Sequence, residues 1–251
     1  MRQFWLTMLA LTLAHTTALA VERPDFSPPV GEQMDLSAQL TDEVGETESL
    51  AQFARGRPAV IMFGYHNCPN LCGVSQQVVA EALSGTGLEA DSYSPLFITL
   101  TSSESPSDAL GAKQRLAEAV GEERARDWHF LSGGNAAEVG RNFGISALER
   151  ERISQFVHPV AVYTLTSDGH ISSVTGGLDI TKDNLRLAIV QASDGKVGNL
   201  VDQVLLFCAG YDPTGRFSGL VLNAIRYASI AGIALALLAL VLSRRSRKWG
   251  H

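Results

Sequence analysis

Apolar positions along the chain fall into two textures, and each predicts its own element type. Arg57–His66 (RPAVIMFGYH) and Ser94–Ser102 (SPLFITLTS) are apolar almost without a break. Such runs suit strands buried on both faces, because alternation disappears where neither face meets water. Gly73–Gly85 (GVSQQVVAEALSG) and Ser105–Gly121 (SPSDALGAKQRLAEAVG) instead repeat their apolar residues at helical spacing. Gly85 is placed to end the first helix, and Ser-Pro opens the second. Further on, DWHFLSG (127–133) reads as a short strand and NAAEVGRNFGI (135–145) as a short helix. VHPVAVYTLTSDGHISSVTGG (157–177) predicts two strands joined by a hairpin turn at Ser167-Asp168-Gly169. TKDNLRLAIVQAS (181–193) predicts a closing helix. Upstream, QMDLSAQLTDEVGETESLAQF (33–53) gives a short strand, a turn around Glu46, and a second short strand or helix start.

Strand, helix, strand, helix, then hairpin and helix is the order of a thioredoxin-like α/β sandwich, a central mixed sheet flanked by helices. The domain is expected over residues 35–195, behind a proline-rich extended linker at 21–34. No internal repeat interrupts it.

The two ends carry a different signal. Residues 1–20 have a basic start at Arg2, an apolar stretch, and a small-residue Ala18-Leu19-Ala20 end. That is the pattern of a secretory signal peptide, with cleavage expected after Ala20 and an uncleaved N-terminal anchor as the alternative. Gly219–Leu242 is apolar for about the length a bilayer demands, with Arg226 placed to snorkel outward beside Tyr227. The tail at 243–251 holds Arg244, Arg245, Arg247 and Lys248, and a basic cluster belongs on the cytoplasmic side. Both ends therefore predict one C-terminal transmembrane helix in a bacterial cytoplasmic membrane, reached through an extension at 196–218, with the domain in the periplasm. The formal charge of −6 includes those four tail bases, so the exported part is acidic. Nucleic acid is an unsuitable partner for it.

Candidate chemistry concentrates in FGYHNCPNLC (63–72), where a strand breaks into a turn carrying Cys68 and Cys72. A thiol at a helix N-terminus is expected to have a lowered pKa and to be available as thiolate. Thiolate attacks disulfides and also binds metals, so position alone leaves both open. The spacing is C-x3-C, which differs from the C-x2-C of dithiol oxidoreductases. On a helical turn, residues four apart share a face, so two sulfurs can meet at one ion. Two soft thiolates favour Cu(I) or Zn(II), and a third ligand is then required. His158 is the candidate, because in this layout the loop entering the third core strand lies against the cysteine turn. The ordinary alternative for His158 is a loop histidine bonded to a carbonyl. His66, His129, His170 and His251 are weaker candidates, and of these only His66 is close to the cysteines in sequence. His15 lies in the signal. Cys208, the odd thiol, reads as a small buried hydrophobe.

These residues resemble the SCO/SenC family of thioredoxin-like copper chaperones. The likeness rests on VIMFGYHNCPNLC, on His158 placed ahead of TSDG, and on the strand pattern between them. DGKVGNLVDQVLLFCAGYDPTGRFSGLVLNAIR resembles the extension of a bacterial subgroup whose anchor follows the domain. The resemblance implies that Cys68, Cys72 and His158 bind copper, as Cu(I) or Cu(II). It also implies delivery to the binuclear copper centre of cytochrome c oxidase subunit II, with an upstream copper donor. By the same resemblance Cys68 and Cys72 can act as a thiol reductant on partner cysteines. Two departures stand out. Gly73 replaces the proline common after the second cysteine, and LTSSESP replaces an Asp-Pro loop near the metal. Glu104 or Asp108 can substitute there, although a solvated loop charge is the plainer reading. A membrane-anchored thiol-disulfide oxidoreductase is the competing function, with one cysteine attacking and the other resolving.

Overall fold

The computed structural model describes residues 24, 26–68, 72–150, 155–195 and 227–230. The predicted signal peptide, the extension with Cys208 and the basic tail lie outside these. So does the predicted span, apart from the helical Tyr227–Ile230. Among the described residues no helix is long and apolar enough to cross a membrane.

A five-stranded mixed sheet organises the domain. Its strands are β3 (Ala59–Gly64), β4 (Ser94–Thr99), β5 (His129–Leu131), β8 (Ala161–Leu165) and β9 (Ile171–Gly176), in the order β5-β4-β3-β8-β9. β4 pairs parallel with both β3 and β5, while β8 runs antiparallel to β3 and β9. β3 and β4 are buried at every position, as their unbroken apolar runs predict. Successive side chains leave opposite faces of a strand, and this divides the core in two. Ile61, Phe63, Leu96, Ile98, Tyr163 and Leu165 pack to one side; Val60, Met62, Phe97 and Val162 pack to the other.

The second side is covered by three helices: α2 (Cys72–Ser84), α3 (Pro106–Val120) and α6 (Lys182–Ser193), which contribute Val79, Leu83, Leu116, Leu185 and Ile189. The first side is closed by the β1–β2 hairpin (Gln39–Thr41, Thr47–Ser49), α1 (Leu50–Ala54) and α5 (Ala136–Asn142). Ser49 and Gln52 form a capping box at α1, and Ser105 with Asp108 does the same at α3. α2 stops where predicted, with the Gly85 amide closing on Glu81.

Among the described elements, some short ones were not expected from the pattern. One is a single-turn α4 (Glu122–Ala125), and another is a hairpin of β6 (Leu148–Arg150) and β7 (Gln155–Val157). Pieces of three or four residues are too short to show a period. The proline-rich lead into the domain lies against it: Ser27 bonds to Gly144, Gly31 to Ile171 and Met34 to Gly169.

Candidate functional site

The cysteine turn begins where β3 ends. Tyr65 and His66 are still buried, Asn67 reaches solvent, and Cys68 is half-buried against the first core cluster. Cys68 is not helical, and the described helix runs Cys72–Ser84, so the expected shared helical face does not apply. Both residues carry thiols rather than a disulfide.

His158 meets this turn from the other side of the β3–β8 pair. It follows β7 and precedes β8, and antiparallel pairing of Met62 with Val162 brings the start of β8 to the end of β3. His158 Nε2 lies 3.5 Å from Cys72 Sγ, and Nδ1 lies 2.9 Å from the Pro159 carbonyl. A carbonyl only accepts, so Nδ1 carries the hydrogen and Nε2 offers its lone pair to Cys72. That tautomer, with the far nitrogen tied to a carbonyl, is the one metal-ligating histidines adopt. Burial lowers the His158 pKa and keeps the ring neutral, against a smaller opposing effect of the Pro159 bond. The Tyr65 ring packs at 5.7 Å from the imidazole. Gly64 lies behind it, where a Cβ would stand 2.8 Å from Phe97 Cζ, too close for the ring to stay, and 3.4 Å from His158 Cε1, in ordinary contact.

The lowered thiol pKa expected from the helix start is not found at Cys72. Burial pushes this thiol up to about 12, helped by the Cys68 side chain, while a backbone hydrogen bond from Tyr65 works in the opposite direction. Desolvation outweighs the helix terminus because Cys72 is only 6% exposed.

The other described histidines are accounted for, and His251 lies outside the described residues. His66 is 3% exposed and packs against the rings of Phe97 and Phe130, with Nε2 bonded to the Leu131 carbonyl. His170 pairs with Asp168 at 3.2 Å on the hairpin turn. His129 joins Asp42 and Glu43 in a compact set whose ligand atoms lie within 4.8 Å of one another. Two cations already occupy that set. Arg55 Nη2 reaches His129 Nε2 at 2.8 Å, and Lys113 reaches Glu43 at 2.6 Å. A guanidinium only donates, so Nδ1, the atom facing the carboxylates, bears a hydrogen and cannot ligate. The set is a charge-compensated brace. Glu104, read from sequence as a solvated loop charge, instead accepts backbone hydrogen bonds from the cysteine turn. Sequence reasoning had no local signal for this, because its partners lie 37 and 38 residues away.

Relatives give this arrangement its context. None of the curated proteins matches the chain. Among solved structures, the fold is similar to that of a protein from Aquifex aeolicus VF5, with a TM-score of 0.58 and 14% identity over 66% of this chain and 95% of that one. It is also similar to Arabidopsis thaliana ScoI with copper bound (TM-score 0.51, 17% identity, 64% of this chain and 99% of that one). A third similar structure is BsSco, a member of the Sco family of cytochrome c oxidase assembly proteins, in which a disulfide switch was identified (TM-score 0.50, 16% identity, 70% and 99%). At these identities the likeness speaks for the fold. The SCO1/SenC family profile matches residues 30–189, from the proline-rich lead through most of α6 and including both cysteines and His158. With the profile spanning more than half of its length, the chain belongs to the SCO1/SenC family.

Proposed function

We propose that this chain is a membrane-anchored copper chaperone whose Cys68, Cys72 and His158 hold one copper ion as cargo. The observation that carries the reading is the pairing of the His158 Nε2 lone pair with Cys72 Sγ, with Nδ1 bonded to the Pro159 carbonyl. Two sulfurs and an imidazole form a soft donor set suited to Cu(I), and the nitrogen helps accommodate Cu(II). Uptake of Cu(I) by the two thiols and the neutral imidazole releases two protons, one from each sulfur. The cargo comes from an upstream copper donor and passes by ligand exchange to the binuclear copper centre of cytochrome c oxidase subunit II. Copper-bound ScoI and the oxidase-assembly role of the Sco family support this assignment. The signal-peptide pattern at 1–20, the apolar 219–242 stretch and the basic tail support a domain on the periplasmic side of a bacterial cytoplasmic membrane.

A second reading has its own support. Cys68 and Cys72 are both thiols, their side chains interact, and BsSco carries a disulfide switch. Under it, the protein reduces a partner's disulfide, with one cysteine attacking and the other resolving. Copper stoichiometry of the reduced full-length chain, measured anaerobically for the parent and for His158→Ala, separates the two. The chaperone requires about one copper per chain, held much more weakly after the substitution. Absence of stoichiometric copper despite two titratable thiols would hand the site to the oxidoreductase.

A further inference from the structure

The turn that delivers Cys68 is gripped by a single segment on the far side of β4. Glu104, in the loop between β4 and α3, receives the His66 amide at 2.9 Å and the Thr99 hydroxyl at 2.5 Å on Oε2, and the Asn67 amide at 2.8 Å on Oε1. One turn into α3, Asp108 accepts the Asn67 side-chain amide at 2.5 Å. Farther along the same helix, Arg115 donates to the His66 carbonyl at 2.6 Å. The His66 ring completes the clamp on Leu131 in β5. Backbone groups that leave a strand lose their ladder partners and must be satisfied elsewhere. Here one carboxylate supplies both replacements, at the two residues immediately before Cys68.

We infer that Glu104 is a positioning residue for the cysteine site. By fixing the His66 and Asn67 peptides it sets where Cys68 stands relative to the Cys72–His158 pair. Its three donors leave no equivalent substitute. A glutamine has a single acceptor oxygen, and its NH2 would face the Asn67 amide, donor against donor. The loop after β4 and the cysteine turn therefore behave as one unit, and Glu104 acts on ligand geometry without itself being a ligand. The first readout below rests on the copper reading, whereas the second is independent of it.

The test uses the full-length chain carrying Glu104→Ala or Glu104→Gln, with exposed Glu118→Gln on α3 as control. Cu(I) affinity is measured by anaerobic competition with a chromogenic chelator, alongside stoichiometry and the thermal unfolding midpoint. Stoichiometry should stay near one copper, while affinity falls about tenfold in Glu104→Ala (~1.4 kcal/mol), less in Glu104→Gln, and not in the control. An affinity within twofold of the parent in folded Glu104→Ala overturns the inference, whatever happens to the melting temperature. If the alanine variant does not fold, Glu104→Gln decides: a loss of about threefold or more supports the role, and a smaller one overturns it. If the parent takes up no copper, the chaperone reading fails and a second equilibrium decides. In that equilibrium the Cys68–Cys72 dithiol plus oxidised glutathione gives the protein disulfide plus two reduced glutathiones. A shift of about tenfold in its constant on Glu104→Ala (~30 mV for two electrons) upholds the positioning role, and a shift within twofold ends it.

Discussion

Gly64 is the residue on which the sheet and the site converge. Its missing side chain leaves room for both the Phe97 ring and the His158 imidazole. Gly64→Ala should therefore force the Phe97 ring to give way and set the new methyl directly against His158, costing ~1–3 kcal/mol of stability. Copper affinity should fall with it, while both thiols remain titratable. Denaturant titration and chelator competition check the two parts, and a variant unchanged in both would show that the close approach is unimportant. Tyr163 predicts the opposite sign. It is fully buried, and its hydroxyl has no hydrogen-bond partner among the described residues. Removing an unsatisfied buried polar group relieves its desolvation cost, so Tyr163→Phe should stabilise the fold by ~1 kcal/mol, read from the urea midpoint. That Cys72 and His158 come together was legible in the sequence, because the strand order sets the loop before the third core strand against the cysteine turn. Gly64 and Glu104 were not, because what they do depends on which distant groups approach them.

At the scale of elements, Glu43 joins three pieces. From the loop of the β1–β2 hairpin it takes Lys113 of α3 on one oxygen and the Phe130 amide of β5 on the other. Burial pushes its carboxyl up, but Lys113 and the backbone bonds together outweigh that and hold the pKa below the usual 4.5. A depressed folded pKa means stability that is present above the unfolded value and lost as pH falls through the folded one. Glu43→Gln should thus be less stable than the parent at neutral pH, with the gap closing in acid, below about pH 4. The groups facing Glu43 are Lys113, His129 and Asp42, with Arg55 behind His129, so the measurement is the difference between the two proteins rather than either curve alone. Unfolding midpoints across that range check it, and a gap that persists unchanged in acid would contradict it. The strands and long helices were legible because each repeats its period over enough residues to show. The braces between them were not: Glu43 and Lys113 sit 70 positions apart, and a charge in a loop carries no mark of its partner.

For the whole molecule, the proline-rich lead is part of the packing. Phe26, Val30 and Met34 lie on the first core cluster, and the strap is admitted by Gly144, which has φ +69° and faces the Ser27 carbonyl. Gly144→Ala should lift the strap, destabilise the domain by more than ~1 kcal/mol, and speed proteolysis near residues 24–34. Cleavage at the parental rate would show that the strap is held independently of that crossing. Composition spoke only for an extended segment here, because prolines announce the absence of a helix and say nothing about what the chain lies on. A larger consequence follows from the 86 residues that separate Cys72 from His158. The two sulfurs arrive together, within a few residues of chain, but the imidazole joins them only after the late strand docks beside β3. A half-assembled molecule can offer sulfur alone. On the proposed site, acquisition of a full payload thus doubles as quality control, since only a finished fold would own the complete clasp.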